Sequence, residues 1–154
     1  MTIRVGIMGF GRIGRNIFRI LSGHDSIEVV AIVDIAEFKG MEYLLRYDTV
    51  HGRFPHDVRV VGDYMYVRGQ QIRLVNAKEP GDVDWQGLGV DVVVESTNRY
   101  RRREHLQKHL DRGAGRVILA SPPKAGEKLD ALVVVGVNDS AVGPDDRIIS
   151  TGSC

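Results

Sequence analysis

Hydrophobic positions in the first 34 residues follow two different periods in succession. Residues 2–8 form a short run rich in β-branched side chains, as is typical of a strand, and the run ends at a glycine. Helical spacing follows, and Gly23 would end that helix. The apolar positions on its predicted inner face are Ile13, Ile17, Phe18, Ile20 and Leu21. The nearly continuous apolar run Ile27–Asp34 is typical of a strand covered on both faces, so the pattern predicts a strand–helix–strand unit.

The rest of the chain alternates between strand and helix patterns. Residues 40–52 predict a helix with Met41, Leu44 and Leu45 on one side, and residues 57–76 predict three short antiparallel strands. Residues 90–97 predict a buried strand, and residues 101–113 an amphipathic helix. Further strands are predicted within residues 116–121, 129–138 and 147–150. This order predicts one α/β domain: a Rossmann-type, doubly wound, mostly parallel sheet with a small antiparallel insertion.

The first predicted helix opens on the segment GFGRIG, which places Gly9, Gly11 and Gly14 in G-x-G-x-x-G spacing. In a dinucleotide site, Gly9 would permit the tight turn, Gly11 would let the backbone approach a pyrophosphate, and Gly14 would let the helix pack close to the strand. Asp34 lies 20 residues beyond Gly14, at the end of the second strand. A carboxylate there can bind ribose hydroxyls and repel the additional phosphate of NADP. The context predicts an NAD site, with a plain strand–helix turn and a surface aspartate as the alternative.

Composition narrows the class of protein. Apolar residues make up 43% and charged residues 27% of the 154 residues, as in ordinary globular domains. A net charge of +1 gives no reason to expect nucleic acid or a membrane surface as a partner. The single cysteine, Cys154, excludes a disulfide within the chain and suits a reducing compartment. Because no run resembles a signal peptide or a membrane span, a cytoplasmic location is expected.

Five segments carry motifs more specific than a glycine turn. They read VGIMGFGRIGRNIFR, YDTVHGRF, VVVESTNRY, GAGRVILASPPK and VVVGVN. Their order and spacing resemble phosphorylating glyceraldehyde-3-phosphate dehydrogenases over essentially the whole chain. The final segment, STGSC, is similar to the active-site sequence Ser-Asn-Ala-Ser-Cys of that family.

The resemblance implies an NAD cofactor and a role for particular residues. Cys154 would be the catalytic nucleophile, and Ser153 would contact substrate. The implied cofactor-binding residues are Gly9, Phe10, Gly11, Arg12, Ile13, Gly14, Asp34, Lys78, Thr97, Asn98 and Ala120. Some positions depart from the family: Met8 and Val33 replace residues that are usually asparagine, Asn98 replaces glycine, and Ala120 replaces serine or threonine.

The resemblance also implies a reaction. A thiolate attacks an aldehyde, hydride passes to the nicotinamide, and inorganic phosphate releases the resulting thioester as an acyl phosphate. Residues 1–150 would be the NAD-binding domain, and residues 151–154 would begin a catalytic domain that is otherwise absent. This chain alone is therefore expected to have negligible dehydrogenase activity, whereas a complete enzyme of this glycolytic family would be a homotetramer. The alternatives are an erythrose-4-phosphate dehydrogenase and a stand-alone, non-catalytic dinucleotide-binding module.

Two groups of charged residues have no place in that scheme. Arg99, Arg101, Arg102 and Arg103 lie close together before and within a helix. They predict either a solvated helix start or a surface that meets an anion or a partner chain, because cations oppose the dipole there. The five histidines show no zinc-like spacing, and we expect them to be solvated.

Overall fold

A nine-stranded sheet runs through the computed structural model, which describes residues 1–152. Its strands are β1 (Ile3–Met8), β2 (Ile27–Asp34), β3 (Val58–Val61), β4 (Tyr64–Val67), β5 (Gln70–Asn76), β6 (Val92–Glu95), β7 (Arg116–Leu119), β8 (Ala131–Leu132) and β9 (Ile148–Ser150). Their order across the sheet is β3-β4-β5-β2-β1-β6-β7-β9-β8. Only the β3–β4 and β4–β5 pairings are antiparallel among these strands. The predicted Rossmann-type sheet with a small antiparallel part is thereby confirmed.

Within residues 1–152, three α-helices cover the sheet. They are α1 (Arg12–Leu21), α2 (Phe38–Arg46) and α3 (Arg103–Asp111). Successive residues of β6 belong to different hydrophobic clusters. Val94 packs in the cluster that contains Phe18 of α1, whereas Val93 packs in the cluster that contains Trp85. A third cluster joins Leu106 of α3 to β7 and β9. Both faces of the central strands are therefore buried, which explains their continuous apolar runs.

The apolar faces of α1 and α2 are narrower than predicted. Phe18 is buried and Ile17 and Leu21 are partly buried, but Ile13 and Ile20 are 52% and 72% exposed. Leu44 of α2 is also exposed, while Met41 and Leu45 are buried. Spacing alone overestimates the buried stripe because a short helix on a twisted sheet contacts it along one narrow line.

The long strand predicted for residues 129–138 is wrong, because only Ala131–Leu132 forms one. The Asn138 side chain ends it: its Oδ1 accepts from Val134 N–H at 2.7 Å and its Nδ2 donates to the Leu132 carbonyl at 3.0 Å. The chain turns, and Val135 is left 80% exposed. Within residues 1–152, no helix is long and apolar enough to cross a membrane.

Asp130 fastens the outer part of the sheet to α3. Its carboxylate accepts from the N–H groups of Arg147 and Ile148, each at 2.9 Å, and from the Arg103 guanidinium at 2.7 Å. Partial desolvation would raise the pKa of Asp130, but the hydrogen bonds from Ile148, Arg103 and Arg147 outweigh it and hold that pKa below its usual range. The carboxylate therefore stabilises the fold most when it is ionised.

We expect Asp130 to make the fold acid-sensitive. Because its pKa is lower in the folded chain, its contribution is complete above the unfolded pKa of about 3.9 and is lost as the pH falls through the folded value. Asp130→Asn should lower the free energy of unfolding at pH 7 by about 2 kcal/mol and lose less stability on acidification than the wild type. Urea unfolding at pH 7 and pH 3 measures both effects. Asp145→Asn, at an exposed position, is the matched control, and an equal loss in both variants would contradict this role.

Candidate functional site

The turn between β1 and α1 is tightly packed at two of its three glycines. Gly9 has a φ of +91°, and a Cβ built there would lie 2.7 Å from the backbone N of Thr97. A Cβ on Gly14 would lie 2.0 Å from the Gly9 carbonyl oxygen. At Gly11, in contrast, no atom of residues 1–152 other than its immediate chain neighbours lies within 4 Å of the Cβ position. Gly9 and Gly14 are thus required by the protein itself, whereas Gly11 leaves open space above the turn.

The N-terminus of α1 faces that open space. The first helical hydrogen bond runs from Arg15 N–H to the Gly11 carbonyl at 3.0 Å, so the N–H groups of Arg12, Ile13 and Gly14 have no acceptor within the helix. No side chain among residues 1–152 caps this end, and its first turn holds no acidic residue. The N–H groups without an acceptor in the helix and the helix dipole make this end suitable for an anion.

Asp34 connects the end of β2 to the glycine turn. Its Oδ2 accepts from the Phe10 N–H at 2.6 Å, and its Oδ1 accepts from the Ala36 N–H at 2.9 Å. A carboxylate has about four acceptor positions, so each oxygen can still accept a ligand hydroxyl. Asp34 therefore supports the turn and offers acceptors to a ligand.

A cleft of about 190 Å³ lies beside Asp34, at the carboxyl ends of β1, β2 and β6. Its lining residues are Met8, Gly9, Gly11, Val33, Asp34, Ile35, Ala77, Lys78, Ser96, Thr97, Arg99 and Tyr100. In an open parallel sheet, ligands bind at this edge, where the strand order reverses. Apolar side chains and one carboxylate line the same cleft, as a nucleoside requires.

Comparison with known proteins identifies the family. The family model for "Glyceraldehyde 3-phosphate dehydrogenase, NAD binding domain" matches residues 3–103. The chain belongs to the glyceraldehyde 3-phosphate dehydrogenase family. It is 43% identical over 155 aligned positions to glyceraldehyde-3-phosphate dehydrogenase of Geobacillus stearothermophilus, and the alignment covers 100% of this chain but 45% of that protein. The chain therefore spans less than half the length of this relative. The predicted NAD cofactor agrees with the matched domain, which is an NAD-binding domain.

Two residues suggested by the family resemblance, Lys78 and Thr97, line one wall of the cleft, and a third, Asn98, follows Thr97 in the chain. The Lys78 carbonyl accepts from the Tyr100 hydroxyl at 2.8 Å. Burial and the nearby Glu79 carboxylate raise the pKa of Tyr100, so its hydroxyl keeps the proton that it donates. Thr97 lines the cleft directly, and Asn98 follows it with a φ of +60°. Asparagine tolerates this left-handed conformation better than most residues, so it can replace the glycine usual in glyceraldehyde 3-phosphate dehydrogenases.

Other residues predicted from the resemblance lie elsewhere. Phe10 is buried against Phe18, with ring centroids 5.9 Å apart, so it reaches the site through its N–H rather than its side chain. Arg12 and Ile13 are exposed and do not line the cleft, although their N–H groups belong to the helix N-terminus. Ala120 packs against the hydrophobic cluster that contains Phe10. Like Arg12 and Ile13, it is not one of the residues that line the cleft. Ser153 and Cys154 lie outside the described residues.

Several lining residues were not predicted from the sequence. The Ser96 hydroxyl donates to the Gly9 carbonyl at 2.7 Å and so fastens the glycine turn to the end of β6. Tyr100 and Arg99 also line the cleft, although the sequence analysis placed Arg99 only in a cluster of arginines and gave Tyr100 no role. The segment ESTNRY offered one signal, because polar residues that directly follow a buried parallel strand lie at the ligand-binding edge.

Two of the clustered arginines form ion pairs within the chain, and one histidine is buried. Arg102 and Arg103 pair with Glu127 and Asp130 of the same chain, at 3.4 and 2.7 Å. The prediction of solvated histidines is wrong for His109, which is fully buried. Its ring lies between two buried partners contributed by distant parts of the chain, which helical spacing alone does not reveal.

Proposed function

We propose that the cleft holds the adenosine part of NAD and that the pyrophosphate lies over Gly11 at the N-terminus of α1. The arrangement of the three glycines carries this proposal. Two of them are fixed by close contacts within the protein. The third faces space that no side chain of residues 1–152 fills, beside N–H groups that have no acceptor in the helix. A protein that needed only a tight turn would have no reason to leave that space.

The cleft residues suit the parts of this cofactor. Ile35 and Ala77 provide an apolar surface for a base. The Asp34 carboxylate lies at the end of the second strand, where it can accept from ribose hydroxyls. The proposed cofactor contacts further include Lys78 and Thr97, with Asn98 shaping the backbone between Thr97 and Arg99. The same carboxylate would repel a 2′-phosphate, so NAD should be preferred over NADP.

For the whole protein we propose phosphorylating oxidation of an aldehyde, with glyceraldehyde 3-phosphate as substrate. NAD supplies the acceptor for a hydride when it is bound. Cys154 would attack the aldehyde carbon, and after loss of the hydride the resulting thioester would be cleaved by inorganic phosphate, which returns the thiolate. Ser153 would contact substrate beside it. The family resemblance supports these assignments, together with a homotetrameric assembly and a cytoplasmic location.

Calorimetric titration of the chain with NAD⁺ and, in parallel, with NADP⁺ tests the proposal. We expect one NAD⁺ per chain, bound at least about tenfold more tightly than NADP⁺. Absence of NAD⁺ binding by folded chain would contradict the proposed site. Equal binding of the two dinucleotides would leave the glycine turn in place but remove Asp34 as the selective group.

A further inference from the structure

A chain of buried hydrogen bonds runs from the interior to the cleft. The Trp85 indole N–H donates to His109 Nδ1 at 2.9 Å, and His109 Nε2 lies 2.9 Å from Glu95 Oε2. All three side chains are fully buried. Nothing in the proposed chemistry uses these groups, and a buried carboxylate is costly unless it is well paired.

The direction of each hydrogen bond follows from the tryptophan. An indole nitrogen can only donate, so His109 Nδ1 must accept and the ring proton must lie on Nε2. The neutral ring then donates a hydrogen bond from Nε2–H to Glu95 Oε2. Glu95 Oε1 accepts from both the N–H and the hydroxyl of Thr97, the former at 2.9 Å. Because both oxygens face donors, the position requires a carboxylate.

The same series of hydrogen bonds continues into the wall of the cleft. The Thr97 hydroxyl, which donates to Glu95, accepts from the Arg99 N–H at 3.2 Å. Asn98 lies between them in the left-handed conformation, which costs free energy in a residue other than glycine. The hydrogen bonds at Thr97 and Arg99 hold the backbone on both sides of Asn98. Both of these residues line the cleft.

We propose that Glu95 and His109 are positioning residues for the cofactor: with Trp85 they hold the wall formed by residues 97–99 in its binding conformation. This inference rests on the proposed NAD site. It explains a buried carboxylate that has no cationic partner within the described residues and a histidine whose tautomer is fixed. It also makes cofactor affinity depend on how α3, which carries His109, packs on the sheet.

Glu95→Gln should weaken NAD⁺ binding about tenfold while the chain remains folded. A glutamine has one accepting oxygen and one NH₂ group, so it must present a donor either to His109 Nε2–H or to Thr97 N–H. One end of the chain of hydrogen bonds then breaks. Val117→Ala is the matched control, since it removes volume from the buried cluster beside α3 without touching residues 97–99. It should lower stability and leave the NAD⁺ dissociation constant within about twofold.

Two variants at His109 separate positioning from packing. His109→Gln keeps one donor and one acceptor and should retain wild-type affinity, whereas His109→Phe keeps the ring volume, loses the donor and should bind about tenfold more weakly. Trp85 is the single tryptophan of the chain, so its emission reports whether the indole N–H stays bonded. The emission should change in His109→Phe and stay close to wild type in Val117→Ala.

Hydrogen exchange of the Thr97 and Arg99 amides supplies a measurement that does not need NAD. Exchange should be about tenfold faster in Glu95→Gln and His109→Phe than in the wild type, His109→Gln or Val117→Ala. Unchanged exchange and affinity in Glu95→Gln would overturn the positioning role, as would equal losses in Val117→Ala. Failure of the wild type to bind NAD⁺ would instead refute the proposed function, and the exchange rates would still decide whether Glu95 holds the wall.

Discussion

Gly14→Ala should destabilise the fold by about 3 kcal/mol or more. Its Cβ would lie 2.0 Å from the Gly9 carbonyl oxygen and 3.0 Å from the Ser96 hydroxyl oxygen. The first of these atoms is backbone and cannot rotate away, so α1 would have to separate from the turn. That movement would also disturb the Phe18 packing beneath the helix. Urea unfolding followed by circular dichroism measures the loss, and a midpoint equal to that of the wild type would contradict the close packing of Gly14 against the Gly9 carbonyl.

Gly11→Ala is the matched comparison for the same substitution. Gly11 has a φ of −73°, and nothing in the described residues beyond its chain neighbours lies within 4 Å of its Cβ position. Stability should therefore change by less than about 0.5 kcal/mol. The added methyl would occupy the space proposed for the pyrophosphate, and NAD⁺ affinity should fall about a hundredfold. Unchanged affinity would place the pyrophosphate elsewhere. The two alanine variants thereby separate a glycine needed by the fold from one needed by the ligand.

The first half of the sheet could be predicted because its signals are local. The run Ile27–Asp34 was predicted with the bounds that β2 has, and turn residues separated the three antiparallel strands correctly. Gly62 and Gly69 adopt the positive φ that such turns require. In each case the residues that decide the conformation lie within a few positions of one another.

Residues 129–138 show where local signals fail. Their apolar run resembles a buried strand, but whether it is covered depends on elements far away in the chain. Only Ala131–Leu132 pairs with β9, and beyond it the Asn138 side chain competes for the backbone groups of Leu132 and Val134. Side-chain hydrogen bonds of this kind redirect a strand without changing its apolar composition.

The candidate site also contains a part that local sequence signals predict and a part that depends on distant contacts. The glycines and Asp34 could be predicted from spacing, because one strand–helix–strand unit fixes all their positions. The Glu95–His109–Trp85 contacts could not, since they join β6, α3 and a loop that are separate in the sequence. A carboxylate at the end of an apolar strand gave a partial signal, because a buried acid requires donors. The sequence did not indicate which residues supply them.

Asp34→Ala should weaken NAD⁺ binding about a hundredfold and also destabilise the chain by about 1–3 kcal/mol. Both effects come from one carboxylate. The Phe10 N–H, in a residue that is 4% exposed, would lose its 2.6 Å acceptor, and the proposed ribose acceptors would disappear together with it. Asp57→Ala, at an exposed position outside the cleft, should change neither quantity appreciably.

Asp34→Asn separates the charge from the hydrogen bonds. The amide oxygen can still accept from Phe10 N–H, and the exposed Ala36 N–H can donate to water instead. The free energy of unfolding should therefore stay within about 1 kcal/mol of the wild type. Loss of the negative charge removes the repulsion of a 2′-phosphate and should lower the preference for NAD⁺ over NADP⁺ about tenfold or more. Parallel titrations with the two dinucleotides measure this ratio. A preference that survives in Asp34→Asn but not in Asp34→Ala would show that Asp34 selects NAD through the shape of the turn, whereas a loss in both variants assigns the selection to its charge.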